Sequence, residues 1–394
     1  MLTPATLPAL QAALRDAEID GWLLFDFQGC NPVARTLIGI EGFISRRIFV
    51  WVPQDGVPSA LGHAIEPGPW RTWPSEWTHS TYRSWRELEE KVGAVVRERR
   101  IAMEYSAGDA VPYLDRVPGG ILEMVREAGA IEIVSSAELV SRFVATWSDA
   151  GVASHERAAV ILRDIAHEAL RTAGTRARSG DPIMEHELMR WIAARFADAG
   201  LEAPDHGPNV SAGTNAANPH YEPSAERPRQ ILEGEVLLID LWAREPGGIF
   251  ADQTWMATLG APSPRAQEVW AAIRDARDAA IRFLLEEVAA GRAVRGGDVD
   301  DVARRVIDDR GFGEWFTHRT GHSIDPRSLH GAGPHLDNLE TREERLLVDG
   351  VGFSIEPGIY IPGEIGMRTE VNAYLRDGRV VITPTEYQKD LLVV

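Results

Sequence analysis

Cysteine is almost absent: Cys30 is the single one in 394 residues. That excludes an intramolecular disulfide and any thiolate-rich metal site, and it suits a reducing compartment. Positive charge is short too, with 41 lysines and arginines against 59 acids and a net charge of -18. Such a balance disfavours nucleic acid as a partner and favours cations near any acidic cleft. Long apolar runs are missing, since no stretch approaches the roughly 18 residues that a membrane-crossing helix needs. The first twenty residues have no basic lead and carry Asp16 and Asp20 within an amphipathic pattern, so they do not read as a signal peptide. These absences give the expectation of a cytoplasmic protein with no membrane and no nucleic-acid partner. No strand pattern in the first half is followed by a glycine-rich phosphate loop, which removes the usual signature of nucleotide binding.

What is present points to two domains, because the chain exceeds the size at which one core stops growing. Hydrophobic periodicity predicts helices over 5–19, 85–99, 120–128 and 137–147, with strands over 21–27, 46–52, 100–105 and 130–135. This alternation describes a smaller N-terminal α/β domain over 1–150. Trp70, Trp73, Trp77 and Trp85 fall in a stretch interrupted by Pro, Ser and Thr, which reads as a loop surface suited to an interface. From 151 to 394 the pattern changes. Helical spacing runs over 154–172, Asp181-Pro182 supplies a cap and first-turn proline for a helix to about 198, and Ser263-Pro264 does the same for one to about 288. Asp377-Gly378 marks a closing hairpin.

Chemistry concentrates in this second part. Asp240 ends the run Val-Leu-Leu-Ile-Asp, Asp252 lies in Ile-Phe-Ala-Asp, and Glu356 ends Val-Gly-Phe-Ser-Ile-Glu before Pro357-Gly358. Apolar runs bounded by Gly and Pro are strand signals, so their acids are carried into or beside a core. A single such acid is more often a turn cap or an ion-pair partner than a ligand. Four together are different, because unpaired buried carboxylates each cost several kcal/mol and repel one another. Two divalent cations balance four carboxylates, and hard oxygen ligands with one imidazole suit manganese first, with cobalt, zinc and iron as the other candidates.

The order Leu-Ile-Asp240, Ala-Asp252-Gln-Thr254, His318-Arg-Thr-Gly-His322, Ser-Ile-Glu356-Pro-Gly and Met-Arg368-Thr-Glu370 resembles the pita-bread metallopeptidases, which include Xaa-Pro aminopeptidases, prolidases and methionine aminopeptidases. The resemblance covers roughly 155–394 and implies an α+β fold with a C-terminal pita-bread catalytic domain. It implies two divalent metal ions, one bound by Asp240, the other by His322 and Glu356, with Asp252 and Glu370 bridging. It makes Glu356 the proton carrier between an attacking water and the leaving nitrogen. His220, in Asn-Pro-His220-Tyr, and His330 are implied to face the substrate and donate to its carbonyl oxygen, where a turn residue is the plainer reading of His220. His318 and Arg368 are implied supports behind the ligands, and His335 reads as an exposed loop residue. The family also implies a homodimer and a short proline-containing peptide as substrate.

Three departures stand out. Asp240 and Asp252 are one position further apart than in the family, so the hairpin between them needs a bulge or a longer turn, for which Glu-Pro-Gly-Gly at 245–248 is available. Phe250 stands where many relatives have tyrosine. The glycine-rich continuation after His322 is replaced by Ser-Ile-Asp-Pro-Arg-Ser-Leu. Arg342 matches the place of the carboxylate-binding arginine of prolidases, although it shares its segment with three glutamates and also reads as a solvated loop residue. With its planar fork, Arg342 favours an Xaa-Pro dipeptidase; without it, an Xaa-Pro aminopeptidase acting on longer peptides follows. From a different class, the fold also hosts inactive binding or scaffold proteins, which lose ligands that this chain keeps.

Overall fold

Gly21–Asp26 is apolar on both faces, the pattern of a central strand. In the computed structural model, which describes residues 1–204 and 207–394, it lies in the middle of a six-stranded sheet. The chain divides into Met1–Val144 and Ala145–Val394. In chain order the first unit has α1 (Leu7–Asp16), β1 (Gly21–Asp26), α2 (Pro32–Ile38), β2 (Ile48–Pro53), β3 (Ser59–His63), β4 (Thr78–Tyr82), α3 (Trp85–Val96), β5 (Arg100–Met103), α4 (Gly119–Glu127), β6 (Glu132–Ser135) and α5 (Ala137–Phe143). The sheet order is β4-β3-β2-β1-β5-β6, and leucine, valine and phenylalanine side chains of β1, β2 and α3 form its core. Trp70 and Trp77 are buried while Trp85 is exposed. Just past β5 the carboxylate of Glu104 is buried and accepts hydrogen bonds from Trp22, Asn31 and Ser136. Burial nevertheless pushes its pKa up to about 7.

The second unit continues with α6 (Asp149–Arg178), α7 (Glu185–Asp198), β7 (Asn209–Ala212), β8 (Val236–Ala243), β9 (Ala251–Thr258), α8 (Pro264–Ala289), α9 (Gly296–Asp309), β10 (Ser323–Ile324), β11 (Gly352–Ile355), β12 (Gly358–Ile361), β13 (Ile365–Arg368), β14 (Val371–Arg376), β15 (Arg379–Thr383) and β16 (Leu392–Val393). One sheet runs β16-β9-β8-β7, another β10-β11-β14-β15, with β12 and β13 as a separate pair. Alanines 158, 159, 166, 169 and 173 give α6 a flat face against β8 and β9. Alanines 266, 272, 276 and 280 do the same for α8 against the other core. Small side chains allow the close backbone approach that such helix-on-sheet layers need.

Two local readings are refined. Asp181-Pro182 does not cap α7. The helix begins at Glu185, where the Glu187 carboxylate accepts from the Met184 N–H at 3.1 Å. Ile183 and Met184 are instead drawn into pairing with the segment at 230–231, which holds Pro182 outside the helix. The ladder of β8 and β9 is unbroken from Val236↔Thr258 to Ala243↔Ala251, so the extra residue between the two aspartates goes into the turn and no bulge forms.

Candidate metal centre

Alternation along β8 sends Leu237, Ile239 and Leu241 into the core beneath α6 and Asp240 to the opposite face. Asp240 pairs with Thr254, and Asp252 is two residues from Thr254, so all three share that face. Glu356 follows β11, Glu370 lies between β13 and β14, and His322 precedes β10. The structure brings these five residues together. His322 Nε2 is 3.2 Å from Asp252 Oδ2 and 3.6 Å from Glu356 Oε1. One nitrogen or oxygen each of Asp252, His322 and Glu370 falls within a common 4.8 Å span.

A layer of polar side chains fixes the orientation of these groups. Arg368 forms an ion pair with Asp240, lies 3.9 Å from Glu356 Oε2, and donates to Thr254 Oγ1 at 2.8 Å. Thr254 in turn donates to Glu370 Oε2 at 2.8 Å, so the arginine reaches Glu370 through the threonine. The Asp252 N–H donates to Asn372 Oδ1 at 2.8 Å. Ser354 accepts from the His322 N–H at 2.9 Å and donates to Glu356 Oε1 at 3.0 Å. His318 donates from Nδ1 to the Arg319 carbonyl at 2.7 Å, and its Nε2 accepts from the Tyr360 hydroxyl at 2.9 Å. Of this layer, Asn372 and Tyr360 carry no sequence signal of their own, because each acts through a partner far away in the chain, and Ser354 joins a near partner, Glu356, to a distant one, His322.

The electrostatics describe a cluster in need of cations. Burial, with neighbouring carboxylates adding to it, raises Asp240 to about 7 and Asp252 to about 8. It holds Glu370 well above the carboxylate range. For Glu356 burial pushes the same way, but His322, Arg368 and His318 outweigh it and keep the group below its ordinary value. Burial lowers His322, leaving a neutral imidazole able to act as a ligand. Glu370 Oε1 is buried with no hydrogen-bond partner among the described residues, an arrangement that a bound cation resolves. The donor set therefore fits divalent ions: hard oxygens, one imidazole and an orphaned carboxylate oxygen.

The remaining expected residues are placed unevenly. His330 is exposed, with its ring edge-on to that of His322 at 4.3 Å. His220 is exposed in a turn, where its N–H donates to Asn218 Oδ1 at 3.1 Å. Arg342 is exposed and 3.8 Å from Glu344. The neighbouring Arg345 is instead buried, held by Glu343 and by the carbonyls of Ala332 and Gly333. His335 departs from the sequence reading: it is fully buried, and its Nδ1 accepts from the Ser323 N–H at 3.1 Å. A glycine-proline loop can thus still serve as packing beneath a ligand.

Gly321 shows how tightly the segment before the imidazole is held. A Cβ there would meet the Ser354 carbonyl oxygen at 1.9 Å, a backbone atom that cannot swing aside. Gly321→Ala is expected to push His322 off its partners, lowering thermal stability by about 1–3 kcal/mol and the metal content of the purified protein. Calorimetry with metal analysis checks this, and a wild-type result in both would show that the strand pair tolerates the shift.

Residues 155–377 match the pattern of metallopeptidase family M24. The chain is 35% identical over 186 residues to the Xaa-Pro dipeptidase of Lactobacillus helveticus, which is 47% of this chain and 46% of that one. The chain thus spans about half the length of this relative and of the Xaa-Pro dipeptidase of Lactobacillus delbrueckii subsp. lactis. Among solved structures it superposes on dipeptidase PepE from Mycobacterium ulcerans with a TM-score of 0.74 and 22% identity, covering 99% of this chain and 97% of the other. These likenesses establish an α+β protein with the pita-bread fold.

Proposed function

Because this chain belongs to metallopeptidase family M24, we propose that it is a peptidase that uses two divalent ions to hydrolyse Xaa-Pro bonds, principally in dipeptides. The observation that carries the reading is the convergence of four carboxylates and a neutral imidazole, with one carboxylate oxygen buried and unpartnered. The names of the Lactobacillus relatives support the choice of substrate.

Asp240, Asp252, His322, Glu356 and Glu370 hold the ions, with manganese the first to test. Ions there supply polarisation of the scissile carbonyl and a water acidic enough to attack it. Glu356 lies beside the Arg368 guanidinium and keeps a pKa below its ordinary value, so it is ionised and can accept the water's proton and deliver it to the proline nitrogen, which has none of its own. His330 and His220 donate to the carbonyl oxygen as charge develops. Arg368 and Thr254 keep Asp240 and Glu370 aimed, and His318 supports the site through Tyr360.

Arg342 receives the free carboxylate in the dipeptidase reading. Its exposure favours the second reading, an Xaa-Pro aminopeptidase in which that end stays open to longer peptides. Stripped protein refilled with manganese separates the two when assayed on Ala-Pro and Ala-Pro-Ala side by side. Cleavage of Ala-Pro alone supports the dipeptidase, with Arg342→Lys raising KM for Ala-Pro. Cleavage of the tripeptide with an indifferent Arg342→Lys moves the assignment to the aminopeptidase.

A further inference from the structure

Between His322 and His330 the chain makes an excursion whose base is closed by the Gly331 N–H donating to the Ser323 carbonyl at 2.7 Å. Asp325 sits at its start and is buried, 8% exposed. Its Oδ1 accepts from the main-chain N–H groups of Arg327 at 2.8 Å and Ser328 at 2.7 Å, and its Oδ2 accepts from that of Ala332 at 3.1 Å. One carboxylate therefore grips the outgoing and the returning limb. The limbs are so close that a Cβ on Gly331 would lie 2.7 Å from that of Asp325.

The middle of the loop is tied as well. Leu329 packs into a cluster with Trp147, Phe250 and Tyr374, and the Ser328 hydroxyl donates to the His330 carbonyl at 2.9 Å. His330 is thus carried on a fixed arch although its side chain meets solvent, and its ring lies against that of His322. An amide at 325 could still serve Arg327 and Ser328, but its NH2 would face the Ala332 N–H. Alanine would leave all three donors unmet, two limbs of the arch with them.

We propose that Asp325 is a positioning residue whose carboxylate clasps the 325–332 arch, so that His330 is held against His322 and aimed at the substrate carbonyl. The catalytic half of this statement rests on the Xaa-Pro peptidase reading, whereas the clasp itself does not.

The test uses the full chain loaded with manganese for kinetics and with zinc for proton NMR, in wild type, Asp325→Ala, Asp325→Asn, His330→Ala and the Asp325→Ala/His330→Ala double variant. Asp325→Ala is expected to lower kcat for Ala-Pro by about 100-fold with a smaller change in KM, the loss that follows from a misplaced group. His330→Ala should lose a similar factor, the double variant no more than His330→Ala alone, and Asp325→Asn less than Asp325→Ala. The His330 ring resonance, identified by its absence in His330→Ala, should move in Asp325→Ala as the ring leaves His322, while metal content stays at the wild-type level. Losses that multiply in the double variant, or an unmoved resonance, would overturn the proposal. An inactive wild type whose resonance still responds to Asp325→Ala would defeat the peptidase reading and leave the clasp standing. If the alanine variant does not fold, Asp325→Asn carries both measurements.

Discussion

Asp252→Asn should purify as folded protein that retains little divalent metal and cleaves no Ala-Pro above background. The substitution conserves shape, and the backbone there is held independently, since the Asp252 N–H donates to Asn372. What changes is one charge and one acceptor in a cluster where Asp252 Oδ2 is 3.2 Å from His322 Nε2. An amide offers at best one neutral oxygen, and changes merely behind a ligand already weaken metal binding by roughly 10–100-fold. If Asp252 serves both ions, as proposed, its loss should exceed that. In the metal-free state the same variant should melt no lower than the wild type, because it removes one of several mutually repelling carboxylates. Metal analysis beside the peptidase assay decides the matter: full activity with full metal would remove Asp252 from the ligand set.

The difference in melting temperature between metal-loaded and chelated protein should widen as pH rises from 6.5 to 8. In the metal-free cluster Asp240 is raised to about 7 and Asp252 to about 8, with Glu370 also raised. A carboxyl whose folded pKa lies above its unfolded value keeps its proton in the native state while the unfolded chain has lost it. Stability then falls with rising pH between the two values, by about 1.4 kcal/mol per pH unit for each such group. Below 6.5 the buried histidines oppose this slope. His318 and His322 are neutral when folded and protonated when unfolded, so stability from them rises towards 6.5. Above it they are silent and the carboxyls decide. Glu104 titrates alike with and without metal and drops out of the difference. Bound cations need the ionised form and so abolish the slope. A widening of at least about 3 °C is the expected reading; a gap that stays level or narrows would mean the acids are better solvated than their burial indicates.

Much of this was legible in sequence, and for physical reasons. Asp240 and Asp252 stand in apolar strands where a charge has no business unless it is compensated, and Ser263-Pro264 announces α8 through a cap that depends only on neighbours. Long-range partnership is what periodicity does not carry. Nothing near His335 tells that its imidazole will accept from Ser323 beneath the site. Asp325 takes two of its bonds from its own turn, yet the third donor, Ala332, is seven residues on. The Asp181-Pro182 signal was sound locally and lost to the pairing of Met184 with Gln230, a competition decided by a segment nearly fifty residues away.

The seam between the two sheets also fixes when in the life of the chain the site can exist. Asp240 and Asp252 belong to a hairpin that can close as soon as it is made, but Glu370 comes 118 residues after Asp252. At ribosomal speeds that interval is on the order of ten seconds. For nearly all of that time the hairpin carries its two acids without Arg368, and for more than half of it without His322, which comes 70 residues after Asp252. The nascent half-site must therefore stay wet, and the final burial of its carboxylates waits for the last strands to arrive.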